Sequence, residues 1–313
     1  MEVFFAERQH ELCHSFTMIH RTGTGNLWTS VDINVFHDKT VKSFGGECLS
    51  GKAQHEQVRF QQVSQLRNRI DLHLNEAPKL RNPILIAGLP DSGRVAKIVL
   101  DHLIKTLKAL PLGYLYSDYL PPRLLLGTDG TPDLMKHEFY YWLNDRDAGD
   151  LVLYTGDAQP ILPEGAFRLS EAVVSLAEKL GVHTVMTVGA FITGKIAENP
   201  KVYGAASELG LVRELQSLDV NIIDSGAVTW MNGLIPGLAK VRNLKGVFLS
   251  GETSGFMVDP RAAVVILKVL TRKLGLQIDM RELEDQAKEI ESALKRAVDK
   301  ANPQPADSSE YIG

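Results

Sequence analysis

Four apolar runs of this sequence each end in a glycine-rich loop that carries acidic, amide or hydroxyl side chains. The loops are residues 88–93, 156–160, 189–194 and 251–255. Loops that follow parallel strands gather at one edge of a sheet, where ligands bind. The candidate ligand-cleft residues are Asp91, Ser92, Asp157, Gln159, Thr193, Glu252, Thr253 and Asp259.

Two carboxylates in one cleft, such as Asp157 and Glu252, would suit general acid–base chemistry. The same side chains also have a structural explanation, because glycine permits tight strand-to-helix turns and acids or hydroxyls cap helix N-termini. The structural explanation is favoured, since such loops occur in α/β folds of many functions. No histidine or cysteine of this region stands in a recognised nucleophile motif, and we predict no catalytic residue.

The first loop resembles a phosphate-binding P-loop but lacks its chemistry. Arg94 replaces the lysine of that motif and Val95 replaces the hydroxyl residue that contacts magnesium, so nucleotide hydrolysis is not expected. His10, Cys13 and His14 have local spacing that could bind a metal, but a closed zinc site needs four ligands and no second cluster accompanies them. We therefore predict no metal site and no cofactor.

The loops follow segments with the pattern of strands buried on both faces. Residues 83–88, 151–156, 184–189 and 246–251 are apolar, short and without alternation. Segments with apolar side chains at helical spacing lie between them, at residues 95–104, 170–180, 206–218 and 260–274. This order predicts an α/β fold with a largely parallel central sheet, helices on both faces and the four loops at one edge.

The pattern divides the chain into four parts. Residues 1–70 look unlike the rest and are predicted to be a weakly ordered extension or a small appendage. Residues 71–278 form the α/β core, with an inserted β-hairpin within 121–142 around Asp129-Gly130. Residues 279–300 are predicted to be a charged helix, and 301–313 a flexible tail.

Composition excludes several classes of protein. The chain has 313 residues, 44% hydrophobic, with a formal net charge of −4, which argues against a general nucleic-acid binder. Two cysteines indicate a reducing compartment rather than a disulfide scaffold. No signal peptide or run long enough to span a bilayer is recognisable, so we expect a cytoplasmic protein that does not contact membranes.

Several motifs in this order resemble the proteasome-assembly-chaperone family in its archaeal and bacterial branch. They are residues 82–90 (NPILIAGLP), 155–160 (TGDAQP), 201–206 (KVYGAA), 232–234 (NGL), 251–255 (GETSG) with Asp259-Pro260, and 274–279 (LGLQID). The resemblance covers roughly residues 70–300. The chain departs from the family at Asp91, where the usual residue is glycine, and at Ser92, where it is small and apolar; no counterpart of the first 70 residues is recognised.

The resemblance implies a phosphorylase-like α/β fold, homo-oligomeric assembly and the proteasome core particle as partner. The leading interpretation is a non-enzymatic proteasome assembly chaperone or proteasome-binding adaptor. The alternative is an enzyme that acts on a small carboxylate or nucleoside-like ligand at the carboxyl edge of the sheet. Proteasome activators commonly end in a hydrophobic residue, a tyrosine and one final residue; the match here is inexact, and the predicted partner-binding residues are Tyr311, Ile312 and Gly313.

Overall fold

The computed structural model describes residues 5–10, 13–21, 28–36, 70–76, 78–145 and 149–301, with side chains described within 70–296 except at 77, 146–148 and 295. The chain divides into two units, Met1–Phe60 and Gln61–Gly313. In the first unit, three strands form an antiparallel sheet in the order β1-β2-β3. These strands are β1 (Phe5–His10), β2 (Cys13–Arg21) and β3 (Trp28–Phe36).

The second unit is built on a nine-stranded sheet. Its strands in chain order are β4 (Ile70–Leu74), β5 (Ile84–Ala87), β6 (Leu110–Ser117), β9 (His137–Trp142), β10 (Leu151–Gly156), β11 (Thr184–Ile192), β12 (Val202–Ala206), β13 (Asn221–Ile222) and β14 (Lys245–Thr253). They lie in the order β13-β12-β14-β11-β5-β10-β9-β6-β4. Two further short strands, β7 (Leu124–Leu126) and β8 (Pro132–Leu134), pair only with each other.

Helices cover both faces of this sheet, as predicted. They are α1 (Val95–Leu107), α2 (Pro163–Lys179), α3 (Leu209–Ser217), α4 (Trp230–Val241), α5 (Pro260–Leu274) and α6 (Arg281–Ala301). Alternate residues of a strand point to opposite faces, so Ile84 and Ile86 of β5 enter one core while Leu85 and Ala87 enter the other. The first core takes side chains from α1, α3, α5 and α6, and the second from α2 and α4.

The four strands predicted from apolar runs are adjacent and parallel. β10 and β11 both pair with β5, and β14 pairs with β11. The prediction of a largely parallel sheet is nevertheless wrong, because β9, β6 and β4 continue the sheet beyond β10 in antiparallel pairs, and β12 lies antiparallel on β14. A search for continuous apolar runs finds strands buried on both faces and misses antiparallel strands with one partly exposed face.

The inserted hairpin is present but shorter than predicted. Its two strands, β7 and β8, enclose a turn in which the Gly127 amide donates to the carbonyl of Thr131. The remainder of the predicted segment, residues 137–142, is β9 of the large sheet. None of the helices within the described residues is long and apolar enough to cross a membrane.

Candidate functional site

The loops after β5 and β10 and the last residues of β11 border a cavity of about 780 Å³ at the carboxyl edge of the parallel strands. The segment that leads into α4, residues 223–232, completes its wall. Three of the predicted cleft residues, Asp91, Ser92 and Gln159, line this cavity. The structure therefore brings three of the eight predicted residues together at this edge.

Asp91 lies between the end of β5 and the short 3₁₀ turn Ser92–Arg94. Its Oδ1 accepts a hydrogen bond from the amide of Ala96, at 3.2 Å, at the start of α1. Its Oδ2 is buried and has no hydrogen-bond partner among the described residues. Burial raises the pKa of the Asp91 carboxyl to about 7, against the lowering effect of nearby backbone amides, including Ala96 and Ala190. The group therefore titrates near neutral pH rather than near 3.8.

The backbone around Asp91 is tightly constrained. Gly88 has no room for a side chain, because a Cβ there would lie 2.5 Å from Leu100 Cδ2 and 2.8 Å from Val188 Cγ2. Gly93 has φ of 72°, a conformation that glycine adopts without strain. Crowding at Gly88 and the positive φ of Gly93 each favour glycine. The fold itself therefore accounts for these two glycines, which supports the structural explanation of the glycine-rich pattern.

The loop after β10 is held by His137, a residue that the sequence analysis did not single out. His137 is buried, and its Nε2 lies 2.8 Å from the carbonyl oxygen of Ala158, to which it donates. Its Nδ1 contacts the Tyr154 hydroxyl. Burial lowers the pKa of His137 to about 4, so the ring is neutral at ordinary pH and serves to position the loop.

Asp157 and Gln159 follow this anchor but have different environments. The Asp157 carboxylate accepts a hydrogen bond from the amide of Lys136 at 2.9 Å, and the Asp157 amide donates to the Lys136 carbonyl. Asp157 thus ties the loop to the start of β9 and does not line the cavity. Gln159 does line it, and its Oε1 is buried without a partner among the described residues.

The remaining predicted residues brace two neighbouring loops instead of lining the cavity. Glu252 accepts from the amide of Lys201, and the Thr193 amide donates to the carbonyl of Thr253. The Thr253 hydroxyl donates to Asp259, at 3.0 Å. Asp259 is completely buried, and its carboxylate receives two hydrogen bonds of 3.0 Å from Arg261.

Arg261 extends this brace across the edge of the sheet. Its Nη1 donates to the carbonyl of Ala197 at 2.9 Å, while the amide of Asp259 donates to the carbonyl of Gly93. The loops after β5, β11 and β14 are therefore tied together through one buried ion pair. The Asp259 carboxylate is occupied by Arg261 and by the Thr253 hydroxyl.

The braced loops expose large apolar side chains. Phe256 is 84% exposed, Ile192 59%, and Ile196 and Val258 50% each. Ile192 packs against Gly255, where an added Cβ would lie 3.0 Å from Ile192 Cγ2, so the end of β11 meets the loop after β14 at this point. We name Ile192, Ile196, Phe256 and Val258 the apolar loop surface.

Two residues of α4 belong to the site and were not predicted as such. Asn232 is buried; its Nδ2 donates to the Leu89 carbonyl and its Oδ1 accepts from the Leu89 amide, so it clamps the peptide before Asp91. Trp230 lines the cavity and has φ of 58°, a conformation that is rare for a bulky side chain. The available signal for Asn232 was its place in the motif at residues 232–234 (NGL); no sequence pattern indicates Trp230.

Two groups of sequence candidates lie outside the described side chains. They are the predicted partner-binding residues Tyr311, Ile312 and Gly313, and the group His10, Cys13 and His14.

This α/β chain, with its mixed sheet and carboxyl-edge loops, belongs to the PAC2 family. The family model matches residues 85–298. This match and the structural neighbours confirm the resemblance to proteasome assembly chaperones that the sequence motifs indicated.

Among individual relatives, the chain is 31% identical over 244 residues to the uncharacterized protein MJ1210 of Methanocaldococcus jannaschii, covering 75% of this chain and 93% of MJ1210. It is similar to Pyrococcus furiosus PbaB, described as an archaeal proteasome activator, with 33% identity, a TM-score of 0.69, and 73% of this chain and 98% of PbaB covered. It also resembles Pyrococcus furiosus PbaA, described as an archaeal homolog of proteasome-assembly chaperone, with 29% identity, a TM-score of 0.62, and 74% and 92% covered.

Proposed function

We propose that this chain is a cytoplasmic, homo-oligomeric adaptor or assembly chaperone that binds the proteasome core particle and catalyses no reaction. Membership of the PAC2 family and similarity to PbaB and PbaA support the proteasome-related role. The proposal treats residues 1–70 as an appendage, 71–278 as the functional core, 279–300 as a helix attached to it and 301–313 as the docking tail.

The apolar loop surface is the observation on which the adaptor proposal mainly rests. Large exposed apolar side chains on a rigid support are typical of protein interaction sites. Here the support is the buried Asp259–Arg261 ion pair, and Phe256 projects from it with 84% of its surface exposed. An edge whose acids brace loops while apolar groups face solvent suits protein binding better than acid–base catalysis.

We assign the two predicted interactions to different parts of the chain. The apolar loop surface is the self-association surface, and Tyr311–Gly313 contact the core particle. An oligomer presents several tails at once, so avidity converts weak individual contacts into stable binding.

A pull-down with purified proteasome core particles, combined with light scattering of each variant, tests both assignments. Tyr311→Ala is expected to abolish core-particle binding and to leave the oligomer unchanged, with Ser309→Ala as the control in the same segment. Phe256→Ser is expected to dissociate the oligomer, because a polar side chain replaces an apolar one that is 84% exposed. The control is Phe167→Ser on α2, where the phenylalanine is 43% exposed. Binding by the Tyr311 variant at matched salt would contradict the docking assignment, and an intact oligomer in the Phe256 variant would contradict the self-association assignment.

An enzyme remains the second candidate, and one observation favours it. Asp91 borders a cavity and has a pKa of about 7, the range in which a carboxyl group transfers protons efficiently at neutral pH. A nucleoside-like ligand suits the cavity better than a small carboxylate, because the carboxylate would face Asp91. A substrate whose turnover requires Asp91, Asp157 or Glu252 would establish this alternative.

A further inference from the structure

The carboxyl-edge cavity has the size and the wall of a small-molecule site. Its volume of about 780 Å³ falls in the range of roughly 300–1,000 Å³ that is typical of ligand pockets. Most of its wall is apolar, and three of its side chains, Phe191, Trp230 and Phe248, are aromatic. Phe191 is held in place by stacking on Tyr203, with ring centroids 3.9 Å apart and planes 13° apart. The wall therefore offers flat, positioned surfaces for a planar ligand.

The charge of the wall selects the ligand. Asp91 and Asp224 are the charged side chains among the described residues that line the cavity, and both are acidic. A phosphate or carboxylate would meet no cation in this wall. A cationic ligand would instead find an opposite charge in a partly desolvated position, where electrostatic attraction is less screened than in water.

Hydrogen bonding leads to the same ligand class. Asp91 Oδ2 and Gln159 Oε1 are buried acceptors without a partner among the described residues, and both side chains line the cavity. Buried acceptors of this kind are rare in folded proteins. Both residues are partly exposed, so modest side-chain adjustment, which is common on binding, would bring their oxygens to a ligand.

Two residues in or next to the cavity wall have a strained backbone. Trp230, with φ of 58°, lines the cavity, and Arg94, with φ of 54°, ends the turn that begins beside Asp91. Asn232 holds the peptide of Leu89 by two hydrogen bonds, which fixes the approach to Asp91. Strained backbone that its surroundings hold in place is frequent at ligand sites.

We propose that this cavity binds a small organic cation, namely an amine, amidine or guanidine on a flat apolar body. The cationic N–H groups would donate to Asp91 and Gln159, and the flat body would pack between Trp230 and Phe191. The proposal goes beyond the adaptor function and does not depend on it, since it concerns a small molecule and can be tested without proteasome.

Three probes of the same shape test the ligand class by isothermal titration calorimetry on the full chain. They are benzamidine, which is cationic, benzamide, which is neutral, and benzoate, which is anionic. Benzamidine is expected to bind at least about tenfold more tightly than benzoate, with benzamide between them, because hydrogen bonds between charged groups are the stronger ones.

Variants locate the binding. At pH 8, where the Asp91 carboxyl is ionised, Asp91→Asn keeps the side-chain shape and is expected to weaken benzamidine binding by about tenfold or more, since it removes the opposite charge. Asp219→Asn, an exposed acid that pairs with Arg272 and does not line the cavity, is the control and is expected to change the affinity by less than about twofold. Gln159→Leu provides an independent variant with an expected loss of several-fold. Equal binding of benzamidine and benzoate, or unchanged binding in both the Asp91 and Gln159 variants, would overturn the proposal.

Discussion

At the scale of single residues, Asp91 is where structural and functional requirements conflict. One carboxyl oxygen caps the start of α1 through the Ala96 amide, while the other is buried and accepts no hydrogen bond of normal geometry from the described residues. A buried acceptor left unpaired costs roughly 1–3 kcal/mol. A protein selected for stability alone would gain by replacing this side chain, so Asp91 is the residue of the site whose presence most needs a functional explanation.

The raised pKa of Asp91 predicts how stability depends on pH. The folded state holds the Asp91 proton up to about pH 7, whereas the unfolded state releases it near 3.8. Between these values the folded state binds more protons, so the contribution of Asp91 to the free energy of unfolding falls as pH rises. At about 1.4 kcal/mol per pKa unit, the loss from about pH 5 to pH 8 is roughly 2–3 kcal/mol.

Urea denaturation of the parent and of Asp91→Asn at these two pH values measures the effect. Other groups titrate equally in both proteins, so the difference between them isolates Asp91. The variant keeps an oxygen for the Ala96 amide and is expected to become more stable than the parent as pH rises. Parallel pH dependences for the two proteins would show that Asp91 has an ordinary pKa.

At the scale of elements, the predictable parts of the fold are those buried on both faces. β10 is residues 151–156, as predicted, and α5 is residues 260–274, as predicted, because a continuous apolar run or a long amphipathic stripe determines each one locally. β6 was missed because Pro111 and Gly113 interrupt it and its pairing shifts at a bulge between them. α4 was missed because Gly233, Pro236 and Gly237 weaken its helical pattern.

In the site, too, only the features that local sequence determines were predictable. The sequence identifies which strand ends carry polar loops, so Asp91 and Gln159 were recognisable candidates. It does not reveal whether a loop acid faces a cavity or a neighbouring amide, and this difference separates Asp91 from Asp157 and Glu252. Trp230 and Asn232 enter the site from a distant part of the chain, so their contribution depends on tertiary packing.

The brace between β14 and α5 is the element whose loss should be most costly. Removing one partner of a buried ion pair leaves an uncompensated charge and costs about 3–5 kcal/mol. Asp259 is completely buried and Arg261 nearly so. Arg261→Met should therefore lower the free energy of unfolding by about this amount, and Asp259→Asn together with Arg261→Met should lower it by less, because the double variant leaves no buried charge.

Chemical denaturation monitored by circular dichroism provides the comparison. The control is Arg272→Met, which breaks an ion pair with Asp219 on the surface and is expected to change stability little. A single Arg261 variant as stable as the double variant would mean that Asp259 does not depend on its partner. If Arg261→Met dissociates the oligomer but leaves the free energy of unfolding unchanged, the ion pair supports assembly rather than folding.

At the scale of the whole molecule, one sheet edge carries two different surfaces. The cavity is bordered by the loops after β5 and β10 and by the end of β11, and the apolar loop surface comprises the last residue of β11 and the loops after β11 and β14. The end of β11 belongs to both, with Phe191 in the cavity wall and Ile192 in the wall and the apolar loop surface. In an oligomer formed through the apolar loop surface, occupation of the cavity and association of subunits would therefore act on the same strand end.

The division of the chain into two units predicts the effect of removing the first. All nine strands of the large sheet and both hydrophobic cores are built from residues 70–287, so the second unit contains a complete core of its own. A domain that closes its own core keeps its stability when a separate unit is deleted. Deletion of residues 1–60 should leave the melting temperature of the remainder within about 2 °C of the parent, as followed by scanning calorimetry. For a domain of this size a fall of about 10 °C corresponds to several kcal/mol, and such a fall would assign the first unit to the core.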